Sequence, residues 1–395
     1  MNIKIFNKNY SVFYSSIIVA FFLSSLLINL PLIGSFGYEF SVFFALLFFF
    51  LGGLLNIHRA KKNISVKTFW YFVILILAIP LITVVLSSLI KPICSFWFGF
   101  NFYITLSVIS FILSYFLSEV AQFFFKRYTK TVFLISIFFI SLIPVIEIYF
   151  NPQIYFYSPV IGLFPGTIYD EDVYVTSTLI FYRGLNLLYF GLLFFVIKKQ
   201  LIKNKKVFAS FAAIVAMIFI MLSSQFGFST TRDQLDKILP ATAETKNFLI
   251  KYDETKIDTN EIKNLILSHE FYFEKLKTTL KFNPNKKIIS YIFNNKNQKK
   301  EYFGSENADV AKPWLSEIYL SKDSWNKSLK HEILHIFSAE IGNGFLKLAG
   351  SFNPALIEGF PEAIDNNFDD IELHTLAASA LHFGYKINIE KLFSD

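Results

Sequence analysis

Long apolar runs alternate with short polar segments over the first 227 residues of the chain. A membrane-spanning helix needs about 17–25 mostly apolar residues, and seven segments have that length. They lie at Val12–Ile33, Phe40–Ile57, Phe69–Ile90, Phe96–Leu117, Val132–Phe150, Val175–Ile197 and Val207–Phe226. The first run is longer than the apolar core of a signal peptide, which has about 7–15 residues, so we interpret it as an uncleaved anchor. The pattern predicts an all-α polytopic membrane domain over residues 1–227.

Residues 228–395 carry polar residues at ordinary frequency, and the spacing of their apolar residues changes along the chain. Alternating apolar and polar residues indicate strands, whereas apolar residues three and four apart indicate helices. The predicted strands are Asn247–Tyr252, Lys287–Phe293 and Leu315–Leu320. The predicted helices are Asp258–Leu280, Trp325–Ile341 capped by Asp323 or Ser324, one from about Pro354 capped by Asn353, and Asp370–Phe383. This order predicts an α+β domain, with His269 as a hydrogen-bonded core residue on a helix.

The basic residues of the first half predict its orientation. Lys and Arg are concentrated before the first span and in the loops after the second, fourth and sixth spans, and the other loops are nearly free of them. Because basic loops stay in the cytoplasm, we expect a cytoplasmic N-terminus and, after seven spans, an extracytoplasmic C-terminal domain. The pattern therefore predicts a multi-pass protein of the cell (inner) membrane, embedded in the lipid bilayer, with residues 228–395 in the periplasm or outside the cell.

Two ionisable residues interrupt the apolar runs, Glu147 in the fifth span and Arg183 in the sixth. An ionisable side chain in lipid is costly and usually has a partner. We expect a structural Glu147–Arg183 pair between neighbouring helices, and a ligand or transport site is the alternative.

The distribution of charge excludes nucleic acid as a partner. The net charge of the whole chain is +7, but residues 1–227 hold 16 Lys and Arg against 6 Asp and Glu, a charge of +10. Residues 228–395 hold 21 Lys and Arg against 24 Asp and Glu, a charge of −3. The C-terminal half therefore lacks the basic surface that nucleic-acid binding requires. The single cysteine, Cys94, also excludes a disulfide within the chain and a cysteine-based zinc site.

Helix Trp325–Ile341 contains the sequence His331-Glu332-Ile333-Leu334-His335. Residues i and i+4 of a helix lie one turn apart on the same face, so the two imidazoles can bind one Zn²⁺ without straining the backbone. Glu332 follows the first histidine and projects beside the metal, where it can polarise a bound water. The motif predicts one zinc ion per chain and a catalytic role for Glu332.

A catalytic zinc usually takes three protein ligands and one water, so a third ligand is expected nearby. Glu358 opens the next helix after a loop of suitable length and supplies it. Glu362 lies one turn further along that helix, where it can accept a hydrogen bond from the outer nitrogen of a ligand histidine. Such a carboxylate fixes the orientation of the imidazole ring.

The sequence HEILH at 331–335, followed by EGFPE at 358–362, resembles the gluzincin-type zinc metallopeptidases of the peptidase MA-like superfamily. The resemblance covers about Asn247–Phe383. It implies that His331, His335 and Glu358 bind zinc, that Glu332 is the general base and that Glu362 orients a ligand. It also implies that an extended substrate lies along an edge strand, which we assign to Leu315, Ser316, Glu317, Ile318, Tyr319 and Leu320.

Two features differ from the family's pattern. Pro361 stands within the helix that follows Glu358, where it removes a backbone hydrogen bond. The family's later helix, which carries a Tyr or His that stabilises the oxyanion, has no clear counterpart before Asp395. The residues that could replace it are Tyr385, His382 and His374.

The sequence therefore predicts a membrane-anchored zinc metallopeptidase that hydrolyses a peptide or protein substrate on the extracytoplasmic side. Glu332 would take a proton from zinc-bound water and pass it to the leaving amine. The alternative is a non-catalytic, peptide-binding sensor or transporter-associated membrane protein with a degenerate peptidase domain. An intramembrane zinc protease is disfavoured, because the motif follows Lys330 within a polar domain.

Overall fold

The computed structural model describes residues 8–31, 33–90, 95–166, 171–350, 357–365, 367–368 and 371–385. These residues form two compact units. The membrane unit contains the described residues up to Asn151, together with Tyr155–Gly166 and Asp172–Ser229. The C-terminal unit contains Pro152–Ile154, Glu171 and the described residues from Thr230 onward. The loop after the fifth predicted span thus contributes residues to both units.

The membrane unit consists mainly of long apolar helices. They are α1 (Ser11–Leu27), α2 (Tyr38–Lys61), α3 (Val66–Ser87), α4 (Phe96–Phe102), α5 (Ile109–Phe124), α6 (Thr129–Phe150), α7 (Ser177–Lys198) and α8 (Lys205–Leu222). A π-helical segment, Tyr103–Val108, joins α4 and α5 into one helix of 29 residues. Among the described residues, six helices, with α4–α5 as one, are long and apolar enough to cross a membrane. Helix α1 has 17 residues and is about 26 Å long, slightly shorter than the hydrocarbon core of about 30 Å.

Aromatic side chains and glycines pack helix α2 against its neighbours. Phe40, Phe44 and Phe48 recur every fourth residue and are fully buried, with successive ring centroids 4.8 and 5.4 Å apart. One turn further, a Cβ atom on Gly53 would lie 2.0 Å from the ring of Phe133. Small residues allow helices in a membrane to approach closely, so Gly53 is required where α2 meets α6.

The partner predicted for Arg183 is wrong. Arg183 is 1% exposed and donates hydrogen bonds to backbone carbonyls and a hydroxyl, not to Glu147. Its acceptors are Thr105 O (3.0 Å), Leu106 O (2.8 Å), Pro159 O (2.8 Å) and Ser110 Oγ (2.8 Å). The side chain of Glu147 hydrogen-bonds with that of Ser229 instead. Two acceptors of Arg183 belong to the π-helical segment, where the regular α-helical hydrogen-bond pattern is interrupted.

Arg183 also fixes a short hairpin within the membrane unit. Strands β1 (Phe156–Ser158) and β2 (Gly162–Phe164) pair antiparallel, and the loop between them accepts hydrogen bonds from Arg183 and Ser110. Irregular backbone at membrane depth is tolerated where it is buried in protein. The guanidinium therefore joins this hairpin to the helix α4–α5.

The C-terminal unit contains a mixed sheet of five strands in the order β3-β4-β5-β7-β6. The strands are β3 (Ala241–Glu244), β4 (Phe248–Tyr252), β5 (Ile288–Phe293), β6 (Val310–Lys312) and β7 (Glu317–Ser321). Strands β4, β5 and β7 are parallel, whereas β3 and β6 run antiparallel at the two edges. The predicted α+β character of this half is thus confirmed as a mixed sheet with helices.

Helices cover both faces of this sheet. They are α9 (Arg232–Ile238), α10 (Thr259–Leu280), α11 (Lys296–Tyr302), α12 (Trp325–Ser338), α13 (Gly359–Asp365) and α14 (Leu373–His382), with a 3₁₀ turn at Lys347–Gly350 and a two-stranded pair of β8 (Asn367–Phe368) and β9 (Ile371–Glu372). Neighbouring residues of a strand point to opposite faces. Accordingly, Ile318 and Leu320 pack with apolar residues of α10 and α12, whereas Tyr319 packs with Leu235 and Phe303.

The prediction that Leu315–Leu320 forms an edge strand is wrong. The observed strand, β7, lies between β5 and β6, and all five of its residues are buried. Leu315 and Ser316 precede it, and Ser316 adopts a left-handed backbone conformation with φ 57°. The edge strand on this side is β6. Its three residues are too few to show an alternating pattern, and sequence periodicity therefore missed it.

The remaining predictions for this half hold in part. His269 is fully buried and hydrogen-bonds to Leu265 O (2.7 Å) and Ser290 Oγ (3.0 Å), so its assignment as a satisfied core histidine is confirmed. The predicted helix start at Pro354, with Asn353 as its cap, lies outside the described residues. Helix α11, Lys296–Tyr302, is not among the elements that the sequence predicts.

Candidate metal centre

The N-terminus of helix α12 is held by the carboxylate of Asp309. Asp309 accepts hydrogen bonds from the hydroxyls of Ser324 (2.6 Å) and Ser328 and from the backbone N–H of Ser321 (3.0 Å). Its charge is balanced by Lys299, and both side chains are at most 1% exposed. Ser324 occupies the predicted cap position, but its hydroxyl donates to Asp309 and does not cap the helix. The buried Lys299–Asp309 pair therefore fixes where the helix begins.

The apolar face of α12 determines the direction of the two histidines. Leu329, Ile333 and Phe337 are fully buried against the sheet and α10. His331 and His335 lie on a different face, and their side chains are 17% and 13% exposed. Their Nε2 atoms are 3.1 Å apart. Packing of α12 thus leaves both imidazoles accessible, with one nitrogen of each directed to a common point.

Glu358 adds a third ligand atom to the two histidine nitrogens. Its Oε2 atom lies 3.4 Å from His331 Nε2 and 3.5 Å from His335 Nε2. Helix α13, which begins immediately after it, is attached to α12 by the ion pair between Lys330 and Asp365 (2.7 Å). The sequence-predicted ligands are therefore brought together, although they come from two separate segments of the chain.

The three donor atoms fit a tetrahedral zinc ion. Bonds of about 2.0–2.1 Å at tetrahedral angles separate neighbouring ligand atoms by about 3.3 Å, and the observed separations are 3.1, 3.4 and 3.5 Å. Within the described residues, these are the His, Cys, Asp and Glu side chains whose ligand atoms converge, all within 4.8 Å. Two nitrogens and one oxygen are also the donor types that zinc binds.

The electrostatics of the group favour a bound cation. Hydrogen bonds, first with His331 and then with His335, hold the pKa of Glu358 well below its usual range. Burial lowers the pKa of His331, but its hydrogen bond with Glu358 and the nearby carboxylates outweigh this effect and raise the pKa. The carboxylate thus stays ionised and attracts positive charge to the point that the three ligand atoms surround.

Glu362 lies on the other side of the His331 ring. Its Oε1 atom is 3.6 Å from His331 Nδ1, longer than a hydrogen bond, and its side chain is 42% exposed. This is the place that the sequence predicts for it, one turn after Glu358. Pro361, between the two acidic residues, falls in the first turn of α13, where a missing N–H does not break the helix.

Glu332 is buried beside this group. Its residue exposure is 5%, one carboxylate oxygen accepts a hydrogen bond from the backbone N–H of Ala311, and Oε2 has no hydrogen-bond partner among the described residues. Burial, followed by the charges of Asp309 and Glu358, raises the pKa of Glu332 well above its usual range. An unsatisfied carboxylate oxygen in a buried position is costly, and functional sites are where such groups concentrate.

The three residues predicted to stabilise an oxyanion do not lie in this group. His374 and His382 belong to α14, which has no buried residue, and Tyr385 follows it with 70% exposure. Among the described residues, the group of converging side chains is His331, His335 and Glu358, and it does not include His374, His382 or Tyr385. Conversely, sequence reasoning missed Asp309, Lys299 and Ala311. No spacing or motif connects these residues to helix α12, and only the fold brings them to it.

Comparison of the chain with known protein families, with curated proteins and with solved structures finds no match.

Proposed function

We propose that the protein is a membrane-anchored zinc metallopeptidase that hydrolyses peptide bonds on the extracytoplasmic side of the membrane. The observation that carries this proposal is the convergence of His331 Nε2, His335 Nε2 and Glu358 Oε2, with separations of 3.1–3.5 Å. Such spacing matches three ligands of a tetrahedral zinc. The resemblance of the sequences around His331 and Glu358 to the gluzincins supports the same reaction class.

The residues of this chain would divide the chemistry between them. Zinc held by the three ligands would polarise a substrate carbonyl and make a water molecule more acidic. Glu332 would take the proton from that water on its unpartnered Oε2 and transfer it to the leaving amine. The N–H of Ala311 holds the other carboxylate oxygen in place.

An extended peptide would bind along β6, not along Leu315–Leu320. Strand β6 pairs with β7 on one side, and no strand of the described residues pairs with its other side. An exposed strand edge can add a peptide as a further strand through backbone hydrogen bonds. Because Ala311 of β6 contacts Glu332, such a peptide would lie next to the proposed general base.

The extracytoplasmic location is part of the proposal. It rests on the alternation of basic and non-basic loops and on the residues that the loop between α6 and α7 contributes to the C-terminal unit, Pro152–Ile154 and Glu171. That loop, residues 151–176, contains no Lys or Arg, as expected for a loop outside the cytoplasm. The C-terminal unit would therefore lie outside as well.

A non-catalytic peptide-binding protein is the second candidate function. The exposure of His374, His382 and Tyr385 favours it, because the described residues then supply no side chain in the expected oxyanion position. A peptidase that lacks one oxyanion-stabilising group usually keeps a weakened but measurable activity. A catalytic assay therefore distinguishes the two functions, because a peptide-binding protein would show no cleavage.

The proposal is tested with the full chain in detergent. Zinc content and cleavage of a fluorogenic peptide library are measured for the wild type and for His335→Ala, before and after treatment with a chelator. Chelator-sensitive cleavage that returns on addition of zinc, and is lost in His335→Ala, is the expected result. Bound zinc without cleavage would favour the peptide-binding function, and a folded wild type without zinc would refute the peptidase and leave the peptide-binding function with a degenerate domain.

A further inference from the structure

A segment of the membrane half is built into the C-terminal unit. Pro152–Ile154 follows the last residue of α6, Phe150, after a single residue, yet it belongs to the C-terminal unit. Gln153 is fully buried there, and its Oε1 atom accepts a hydrogen bond from Thr230 N (3.1 Å). The N–H of Ile154 donates to Phe303 O (2.9 Å). Three consecutive residues of a loop between membrane helices therefore form part of this unit.

This segment holds the last residue of edge strand β6. The ammonium of Lys312 donates a hydrogen bond to the backbone oxygen of Gln153 at 2.7 Å, and its side chain lies 1% exposed. A buried ammonium requires acceptors, because leaving one unsatisfied costs far more than leaving a neutral group unsatisfied. The Lys312–Gln153 hydrogen bond therefore restricts the position of β6 strongly.

The position of β6 in turn determines what Glu332 contacts. Ala311 precedes Lys312, and its N–H is the donor to the Glu332 carboxylate. On the other side, Ala311 is opposite Ile318 of β7 in the sheet register. A shift of β6 at Lys312 would thus move the N–H that orients Glu332 without moving the zinc ligands on α12 and before α13.

We infer that the loop segment Pro152–Ile154 positions Glu332 through Lys312 and strand β6, so that Lys312 and Gln153 are positioning residues of the site. The catalytic consequence rests on the function proposed above, whereas the anchoring of β6 does not. The C-terminal unit is then not an independent module, because residues 228–395 expressed alone would lack this acceptor of Lys312. A change in the loop after α6 would reach the general base through the Lys312–Gln153 hydrogen bond, the chain from Lys312 to Ala311, and the hydrogen bond from Ala311 to Glu332.

The test uses the full chain with Lys312→Met, which keeps the length of the side chain and removes the nitrogen that donates to Gln153 O. Lys312→Arg is the conservative variant, and Lys287→Met, at an exposed ion pair with Glu244 on β3, is the matched control. Three quantities are measured: hydrogen exchange of the peptide containing β6, zinc content, and kcat and KM for a peptide substrate. Gln153→Ala provides a second variant, which loses the buried side chain and its hydrogen bond to Thr230 but keeps the backbone oxygen that Lys312 binds.

In Lys312→Met we expect exchange of β6 to accelerate about tenfold or more, as for loss of one hydrogen bond to a charged group. Zinc content should stay at the wild-type value and kcat should fall by a similar factor, while Lys312→Arg restores both and Lys287→Met changes neither. Gln153→Ala should accelerate exchange of β6 by a smaller factor. A merely structural role would lower zinc content together with kcat, and that result overturns the inference.

Unchanged exchange of β6 in Lys312→Met also overturns the inference, whatever the activity. If the wild type proves inactive, the proposed peptidase function fails, and the exchange measurement still decides whether the loop holds β6. Should Lys312→Met fail to fold, Lys312→Gln takes its place, because its shorter side chain also loses the hydrogen bond to Gln153 O, and unchanged exchange of β6 in that variant refutes the role of the segment.

Discussion

The Nε2 atoms of His331 and His335 lie 3.1 Å apart, one turn from each other on helix α12. This separation follows from the helix, because residues i and i+4 lie on the same face. Helical geometry alone, however, does not make a metal site. Glu358 Oε2 comes from another segment and lies 3.4 and 3.5 Å from the two nitrogens. With it, the three donor atoms occupy three corners of a tetrahedron.

Removal of Glu358 should therefore abolish zinc binding. We expect about one zinc per chain in the wild type and less than about a tenth of that in Glu358→Ala after dialysis, since two histidines leave the coordination incomplete. Elemental analysis of the purified full chain measures this. His374→Ala is the control, because that histidine is exposed and outside the group. Equal zinc in Glu358→Ala and the wild type would contradict the assignment of the third ligand.

Glu332→Gln should retain zinc and lose turnover. The amide keeps the size of the side chain and an oxygen for the N–H of Ala311, but it cannot accept a proton from water. We expect kcat to fall by a factor of about 100 or more, the usual contribution of a general base, with zinc content unchanged. Glu301→Gln, at an exposed position of α11, is the control. Peptidase activity that survives in Glu332→Gln would remove Glu332 from the mechanism.

The sequence predicts the three converging side chains better than their surroundings. His331, His335 and Glu358 were identifiable because local helical spacing and a short motif specify them. The edge strand was assigned wrongly for two reasons. The actual edge strand, β6, has only three residues and shows no periodic pattern, whereas the Leu315–Leu320 run is conspicuous because it leads into β7, a buried strand inside the sheet. Likewise, Arg183 finds its acceptors in backbone carbonyls, which no side-chain pattern reveals.

Glu362→Ala should weaken zinc binding without abolishing it. Glu362 Oε1 is 3.6 Å from His331 Nδ1, too far for a hydrogen bond in the metal-free site, and we expect it to support the ring when zinc is bound without binding the metal itself. Loss of such a carboxylate typically lowers metal affinity about 10–100-fold. Competition with a chromophoric chelator measures the affinity, with Glu340→Ala, beyond the end of α12, as the control. An affinity equal to that of the wild type would show that Glu362 does not support the site.

Arg183→Lys should destabilise the membrane unit despite conserving the charge. The guanidinium donates to four acceptors in three directions, and an ammonium cannot reproduce this planar arrangement. Unsatisfied carbonyls of the π-helical segment and the hairpin would cost about 2 kcal/mol or more. Thermal unfolding in detergent, followed by tryptophan fluorescence, measures the effect, with the exposed Arg127→Lys as the control. Equal midpoints for Arg183→Lys and the wild type would exclude this role.

His269 should make the C-terminal unit sensitive to acid. Burial lowers its pKa from 6.5 to about 4, although its hydrogen bond to Leu265 O opposes the shift. Between these two pH values the unfolded chain binds a proton that the folded chain does not. Stability is therefore complete above about pH 6.5 and falls as the pH decreases toward 4, by about 3 kcal/mol for this group.

Replacement of His269 by glutamine should flatten that dependence. The amide can still hydrogen-bond to Ser290, but it does not titrate, so the loss of unfolding free energy between pH 6.5 and 4 should be smaller by up to about 3 kcal/mol. Urea unfolding of the zinc-free full chain, read by proteolysis of the C-terminal unit, measures the difference. Titrating carboxylates affect both proteins equally and cancel, and the exposed His374→Gln should behave as the wild type does. Parallel pH profiles for His269→Gln and the wild type would mean that His269 becomes protonated without unfolding the unit.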